Sequence, residues 1–256
     1  MNTVVRIAPT QVDIGSAGDA QHAELIALGG VPRGAVLLAS TSSDHDTAEV
    51  QNALAGHGFE SLFLWARRSE GDADGYASVD LIQAGLQYLA TRGWTVEQVG
   101  VVGYGRAGWA ALDAAVAFEL GAAVTVSPTT ADLFGRTERD RVLHAAPRLR
   151  TPWLGLMAGS ADCVSALDRS LMAISQPPEG SAYARVVSYP EVPQSFYDDS
   201  GDASAHAAGF DAWQRTIEWL NQRVVPRPTP LELLWRARHT ASVDQPQSHT
   251  VRRRER

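Results

Sequence analysis

From residue 34 onward the chain alternates short apolar runs with segments of helical periodicity, and this restricts its folds more than any other feature. Residues 35–39, 61–66, 99–102, 122–126, 153–158 and 184–189 have the length and apolar character of buried strands. Between them, 47–57, 79–91, 109–120, 163–174 and 207–223 read as helices. Val79, Ile82, Leu86 and Leu89 share one face of the second, and Trp213, Ile217 and Leu220 one face of the last. Repeated strand–helix alternation predicts a single α/β domain, with a mostly parallel central sheet flanked by helices on both faces. Residues 4–7 add a candidate early strand. Pro226 and Pro228 close the last helix, so the domain is expected to span 1–225, with 226–256 as a C-terminal extension. Within the extension, 231–238 reads as a short amphipathic helix that docks Leu231, Leu234 and Trp235. The polar stretch ending Arg252-Arg253-Arg254-Glu255-Arg256 reads as a solvated tail.

Composition removes several function classes. The net charge is −7 over 256 residues, so no domain-wide basic surface exists to neutralise nucleic-acid phosphates. All 22 basic residues are Arg. Without Lys, Schiff-base chemistry, a P-loop lysine and the lysine of many short-chain dehydrogenases are excluded. Cys163 is the single cysteine, which leaves no disulfide framework and no thiolate metal cluster, and no His spacing suggests a metal site. No apolar run reaches bilayer length and no signal peptide is visible, so a cytoplasmic protein without membrane contact is expected.

The most informative turn is Gly103-Tyr104-Gly105-Arg106-Ala107-Gly108, between a strand and a helix. Letter for letter it is G-x-G-x-x-G, the dinucleotide fingerprint, which would make the chain an NAD(P)-binding oxidoreductase. That motif belongs on the first strand–helix unit, with a carboxylate ending the next strand. Here earlier strands precede it, and the following strand ends Val126-Ser127-Pro128-Thr129. The other machine built on such a turn is the nucleophile elbow, in which Gly105 stands where Ser or Cys should be. The elbow requires an acid after a later strand, and Asp162 follows 153–158. It requires a His after the next strand, where Gln194-Ser195-Phe196 stands instead.

These stretches together resemble the dienelactone hydrolase family of the α/β-hydrolase fold, across roughly residues 30–225. The family's G-Y-C-x-G-G elbow is matched by Gly103–Gly108, its G-x-x-D stretch by Gly159–Asp162, and its H-G-F stretch by Gln194–Phe196. The 152–162 run and the Asp211-Ala212-Trp213 helix add to the likeness. The resemblance implies hydrolysis of small esters or lactones by a Cys–Asp–His triad. Only Asp162 retains its residue type. Gly105 has no side chain, and the amide of Gln194 cannot serve as a general base. The expectation is a pseudoenzyme with a degenerate triad that acts through binding a small-molecule ligand or a partner, with no cofactor and no metal. The alternative is an active hydrolase with an atypical nucleophile or base, for which Cys163, His45 and His206 are the candidates. Thr41, Tyr104 and Arg106 are the candidate pocket and oxyanion residues, the backbone N–H of Arg106 being the donor at the elbow.

Overall fold

The computed structural model describes residues 6–15, 20–41, 47–66, 79–128, 136–159, 161–174, 183–198 and 202–235; within these, the side chains of 136, 161–164 and 173–174 are left aside. The first unit, Met1–Pro226, holds an eight-stranded sheet in the order β1-β2-β4-β3-β5-β6-β7-β8. The strands are β1 (Thr10–Ile14), β2 (Gln21–Ile26), β3 (Gly34–Ser40), β4 (Phe59–Trp65), β5 (Val99–Tyr104), β6 (Ala122–Val126), β7 (Trp153–Ala158) and β8 (Ala184–Tyr189). From β4 to β8 every pairing is parallel, while β2 runs antiparallel to both β1 and β4. The helices are α1 (Thr47–Gly56), α2 (Val79–Thr91), α3 (Gly108–Ala117), α4 (Arg136–Ala145), α5 (Ala161–Ile174) and α6 (Ala203–Arg223). This is the α/β architecture expected from the alternating pattern.

Parallel strands buried on both faces read as continuous apolar runs, and β3 is buried at all seven positions. On one face Leu54 of α1 and Ile217 and Leu220 of α6 pack on Val36, Val102, Val124 and Leu156. On the other, Ile82 and Leu89 of α2 and Ala111 of α3 pack on Leu37 and Val101. Leu167 and Leu171 of α5 and Val142 of α4 extend that second layer over Trp153. No helix among the described residues is long and apolar enough to cross a membrane.

One expectation changes, and β2 and α4 add to the elements read from the sequence. The early strand is β1 at Thr10–Ile14, and residues 6–9 carry no strand, while 1–5 lie outside the described residues. His22 lies within β2, where its Nδ1 meets Asp13 Oδ1 of β1 at 2.7 Å across the antiparallel pair. The short β2 run Gln-His-Ala-Glu-Leu-Ile shows only Ala23, Leu25 and Ile26 to the core, too few to announce a strand. The polar α4 likewise contributes little apolar surface, chiefly Val142 and Ala145.

The second unit, Arg227–Arg256, is described through residue 235 and contains a short helix over 230–235. The Thr229 hydroxyl accepts the Glu232 N–H at 3.2 Å, a local N-cap. Leu231, Leu234 and Trp235 are exposed.

At the amino ends of the strands the fold is anchored by a buried carboxylate. Glu60 opens β4, and Arg92 donates to it through Nε at 2.6 Å and a terminal nitrogen at 3.0 Å, while Trp94 Nε1 donates at 3.2 Å. Burial pushes the Glu60 carboxyl up, but these hydrogen bonds and the guanidinium charge prevail and hold it below the usual carboxylate range. Arg92→Met is expected to destabilise the protein by about 3 kcal/mol at neutral pH, since it strands a buried charge. A carboxyl held low in the folded state stabilises above its unfolded pKa and loses that contribution as pH falls. The gap between variant and parent should therefore narrow between urea unfolding at pH 7 and at about pH 4.

Candidate functional site

The strand order reverses between β3 and β5, so the chain leaves their carboxyl ends toward opposite faces and opens a crevice there. β5 ends at Tyr104, a 3-10 turn spans Gly105–Ala107, and α3 begins at Gly108. The turn is tight enough that a Cβ on Gly103 would press on the Ala107 carbonyl and stand 2.7 Å from Gly108 Cα. A Cβ on Gly108 would lie 2.8 Å from Thr125 Cγ2 of β6. Gly103 thus serves backbone packing within the elbow, and Gly108 lets the first turn of α3 close on Thr125. A buried chain of hydrogen bonds fixes the geometry: Trp153 Nε1 donates to Thr125 Oγ1 at 2.9 Å, and that hydroxyl donates to the Gly108 carbonyl at 2.8 Å.

Gly105 has a different role. Its φ is +55°, the left-handed region in which a side chain is strained. The space a Cβ would enter is occupied, because the Tyr197 hydroxyl would lie 2.8 Å from it, with the next ring atom, Cζ, at 4.0 Å. Tyr197 follows β8 in the turn that carries Gln194, which is half-buried. Asp162 and Cys163 lie in the first turn of α5, with side chains outside the described set, and His45 lies outside the described residues. Thr41 is exposed just after β3, and Arg106 is half-buried within the 3-10 turn. Ser127, beside the elbow at the end of β6, has φ +44° and a buried hydroxyl with no hydrogen-bond partner.

A cavity of about 590 Å³ lies between α1, α6 and the ends of β5 and β6. Tyr104, Tyr197, Asp198, His206 and Trp213 line it. Of the residues singled out from the sequence, Tyr104 and His206 line this cavity, whereas Gly105, Thr41 and Arg106 do not. Tyr197 is the partition: its ring borders the cavity and its hydroxyl stands over Gly105. His206 sits on α6, which begins at Ala203, four residues before the expected start, because Asp202 caps it by accepting the Ser204 N–H at 3.2 Å. Sequence reasoning missed Tyr197, Asp198 and Trp213 as cavity residues. The signal available was the aromatic continuation Phe196-Tyr197 after Gln194.

The electrostatics of the cavity wall keep its phenols protonated. Burial, then the neighbouring Tyr197 and the Asp198 charge, push Tyr104 well above the ordinary phenol range. Burial and Asp198 push Tyr197 up to about 12. Deeper in the same layer Tyr189 donates to Asp211 Oδ2 at 2.7 Å, and Arg215 Nε donates to the same oxygen at 2.6 Å. Burial and that hydrogen bond push Tyr189 up as well. No cluster of His, Cys, Asp and Glu suited to a metal ion occurs among the described residues.

The profile of the dienelactone hydrolase family matches residues 66–224. No curated protein sequence matches the chain. A Klebsiella pneumoniae protein assigned as a dienelactone hydrolase superposes with a TM-score of 0.63 at 22% identity, over 84% of this chain and 98% of its own. The dienelactone hydrolase of Anabaena variabilis superposes with a TM-score of 0.57 at 20% identity, over 85% of this chain and all of its own. The Pyrococcus horikoshii acylaminoacyl peptidase gives a TM-score of 0.61 at 9% identity, over 86% of this chain and 42% of the peptidase. At these identities the similarity is one of fold.

The contact at Gly105 is measurable. Gly105→Ala is expected to cost more than about 2 kcal/mol, from backbone strain together with displacement of the phenol. In a Tyr197→Phe background the same change should cost about 1 kcal/mol, so a double-mutant cycle by chemical unfolding reports a positive coupling. Absorbance titration at 295 nm should leave Tyr104, Tyr189 and Tyr197 protonated at about pH 11. Phenols held high in the folded state stabilise below their unfolded pKa and lose that contribution as pH rises. Unfolding in alkali should therefore release all three together.

Proposed function

The chain belongs to the dienelactone hydrolase family, and from that premise we propose that it keeps the family's fold but binds a small molecule instead of hydrolysing one. The observation that carries this reading is at the elbow. The residue there is Gly105, in the backbone conformation of an elbow, and a phenol hydroxyl fills the place of its missing side chain. A second loss agrees with the first, since the position matched to the family's His is Gln194. An amide can hold a ligand by hydrogen bonds, but it neither takes nor returns a proton near neutral pH. What remains suits binding: beside the elbow lies a cavity of about 590 Å³ with an aromatic lining. Asp162 is then a relic of the acid, and Thr41, Tyr104 and Arg106 are contact residues of the crevice.

One observation favours a second reading, an active hydrolase with an atypical base. His206 lines the cavity, so an imidazole is present near the elbow although Gln194 stands at the position matched to the family's His.

A panel of small esters and lactones separates the two. The purified protein is expected to show no turnover above the buffer rate, unchanged in Asp162→Ala and His206→Ala. Turnover abolished by either substitution overturns the binding reading. Restoring the machinery should act in the opposite direction. Gly105→Cys with Gln194→His and Tyr197→Phe is expected to gain slow, iodoacetamide-sensitive ester cleavage while losing about 1–2 kcal/mol of stability to the left-handed Cys.

A further inference from the structure

A second recess is lined by a different stripe of α6. Ala212, Trp213 and Thr216 of that helix face the cavity near the elbow, whereas Arg215, Trp219 and Arg223, spaced four apart, turn toward β8. With Leu154 of β7 and with Tyr183, Arg185 and Val187, which alternate along β8 and so share one face, they enclose about 360 Å³. That volume is within the range of small-molecule sites. Among the described residues the two recesses have no lining residue in common.

The Arg223 guanidinium is laid on two rings. Its central carbon stands 3.6 Å from the Trp219 ring centroid and 5.5 Å from that of Tyr183, and the rings themselves stack at 5.7 Å and 29°. The indole is held in turn, donating from Nε1 to the Pro152 carbonyl at 3.4 Å. Contact through the faces leaves the donors in the guanidinium plane unused. Nε of Arg223 is buried without a hydrogen-bond partner, and among the described residues neither Arg223 nor Arg185 makes a side-chain ion pair. Burial holds the Arg223 guanidinium below its usual range, although the Tyr183 phenol pulls it up. Arg215 differs, since its Nε donates to Asp211 Oδ2 at 2.6 Å.

A neutral arene here would cover apolar surface and leave a desolvated cation uncompensated. A bare inorganic anion would engage the guanidinium groups and leave Tyr183, which is 43% exposed, and the half-buried Val187 wet. A ligand with both an arene and an oxyanion uses both walls. Glu218 borders the same recess and repels a second negative charge, which favours a monoanion over a dianion. We propose that the recess between α6 and β8 is a second binding site, for a small aryl monocarboxylate whose carboxylate is held by Arg223 and Arg185 and whose ring lies on Tyr183 and Val187. Arg223 reaches the carboxylate through its terminal nitrogens, and the two rings beneath it keep the fork in place.

2-Naphthoate and 2-naphthamide differ in charge at nearly equal shape, acetate lacks the arene, and 2-naphthyl phosphate carries a second charge. Titrated into the full chain by calorimetry at low ionic strength, naphthoate is expected to bind about tenfold tighter than naphthamide and about threefold tighter than naphthyl phosphate, with acetate weakest. Arg223→Met, which keeps an apolar stem on Trp219, should bring naphthoate and naphthamide to within about twofold. Arg185→Gln, on an exposed strand position, should weaken naphthoate about threefold and naphthamide little. Glu218→Gln should tighten naphthoate about twofold, a gain that damage to the fold does not produce. Thermal melting verifies that each variant is folded. Equal binding of naphthoate and naphthamide by the parent, tighter binding of the phosphate, or a naphthoate affinity unchanged in both arginine variants overturns the proposal. None of these readings involves the elbow, so the ester and lactone panel is decided separately.

Discussion

The contact on which the site depends is backbone against backbone, where the end of β5 meets the start of α3. Gly103 lies so close to the backbone of Ala107 and Gly108 that it has no room for a methyl group, and one at Gly108 would press on the Thr125 side chain. Thr125 and Trp153 hold the second glycine's carbonyl from the neighbouring strands, which ties the turn to β6 and β7. A turn clamped from both sides has one way to leave the strand, and the positive φ at Gly105 follows from it. The sharpness of the elbow is therefore maintained by groups that touch no ligand. Nothing in that clamp requires a side chain at position 105.

The two ends of the sheet carry different obligations. At the amino ends, a buried Glu60 is satisfied by Arg92 and Trp94. At the carboxyl ends Ser127 has a left-handed backbone and a buried hydroxyl without a partner, and buried polar atoms without a partner also occur at Gln51, Ser61 and Arg223.

Most of the central sheet was legible in the sequence because buried parallel strands are apolar without interruption, as in 122–126 and 153–158. What escaped was structure whose stability comes from its neighbours. β2 shows few apolar residues and is held by pairing on both sides, and α4 is polar apart from the face it lays on Trp153. The site divided in the same way. Gly105, Asp162 and Gln194 could be placed by their order along strands and turns, since that order is a property of the chain. Tyr197 could not, because its hydroxyl reaches Gly105 from a residue 92 positions away in sequence, a relation that exists only after folding. The cavity between α1 and α6 was equally out of reach.

The phenol over Gly105 also makes two distant positions in the sequence depend on one another. A side chain at 105 while the hydroxyl remains must displace the end of the Tyr197 ring, whereas the same side chain meets less resistance once position 197 is shortened. The room available at the elbow is thus set from the turn after β8, by a residue outside the elbow itself.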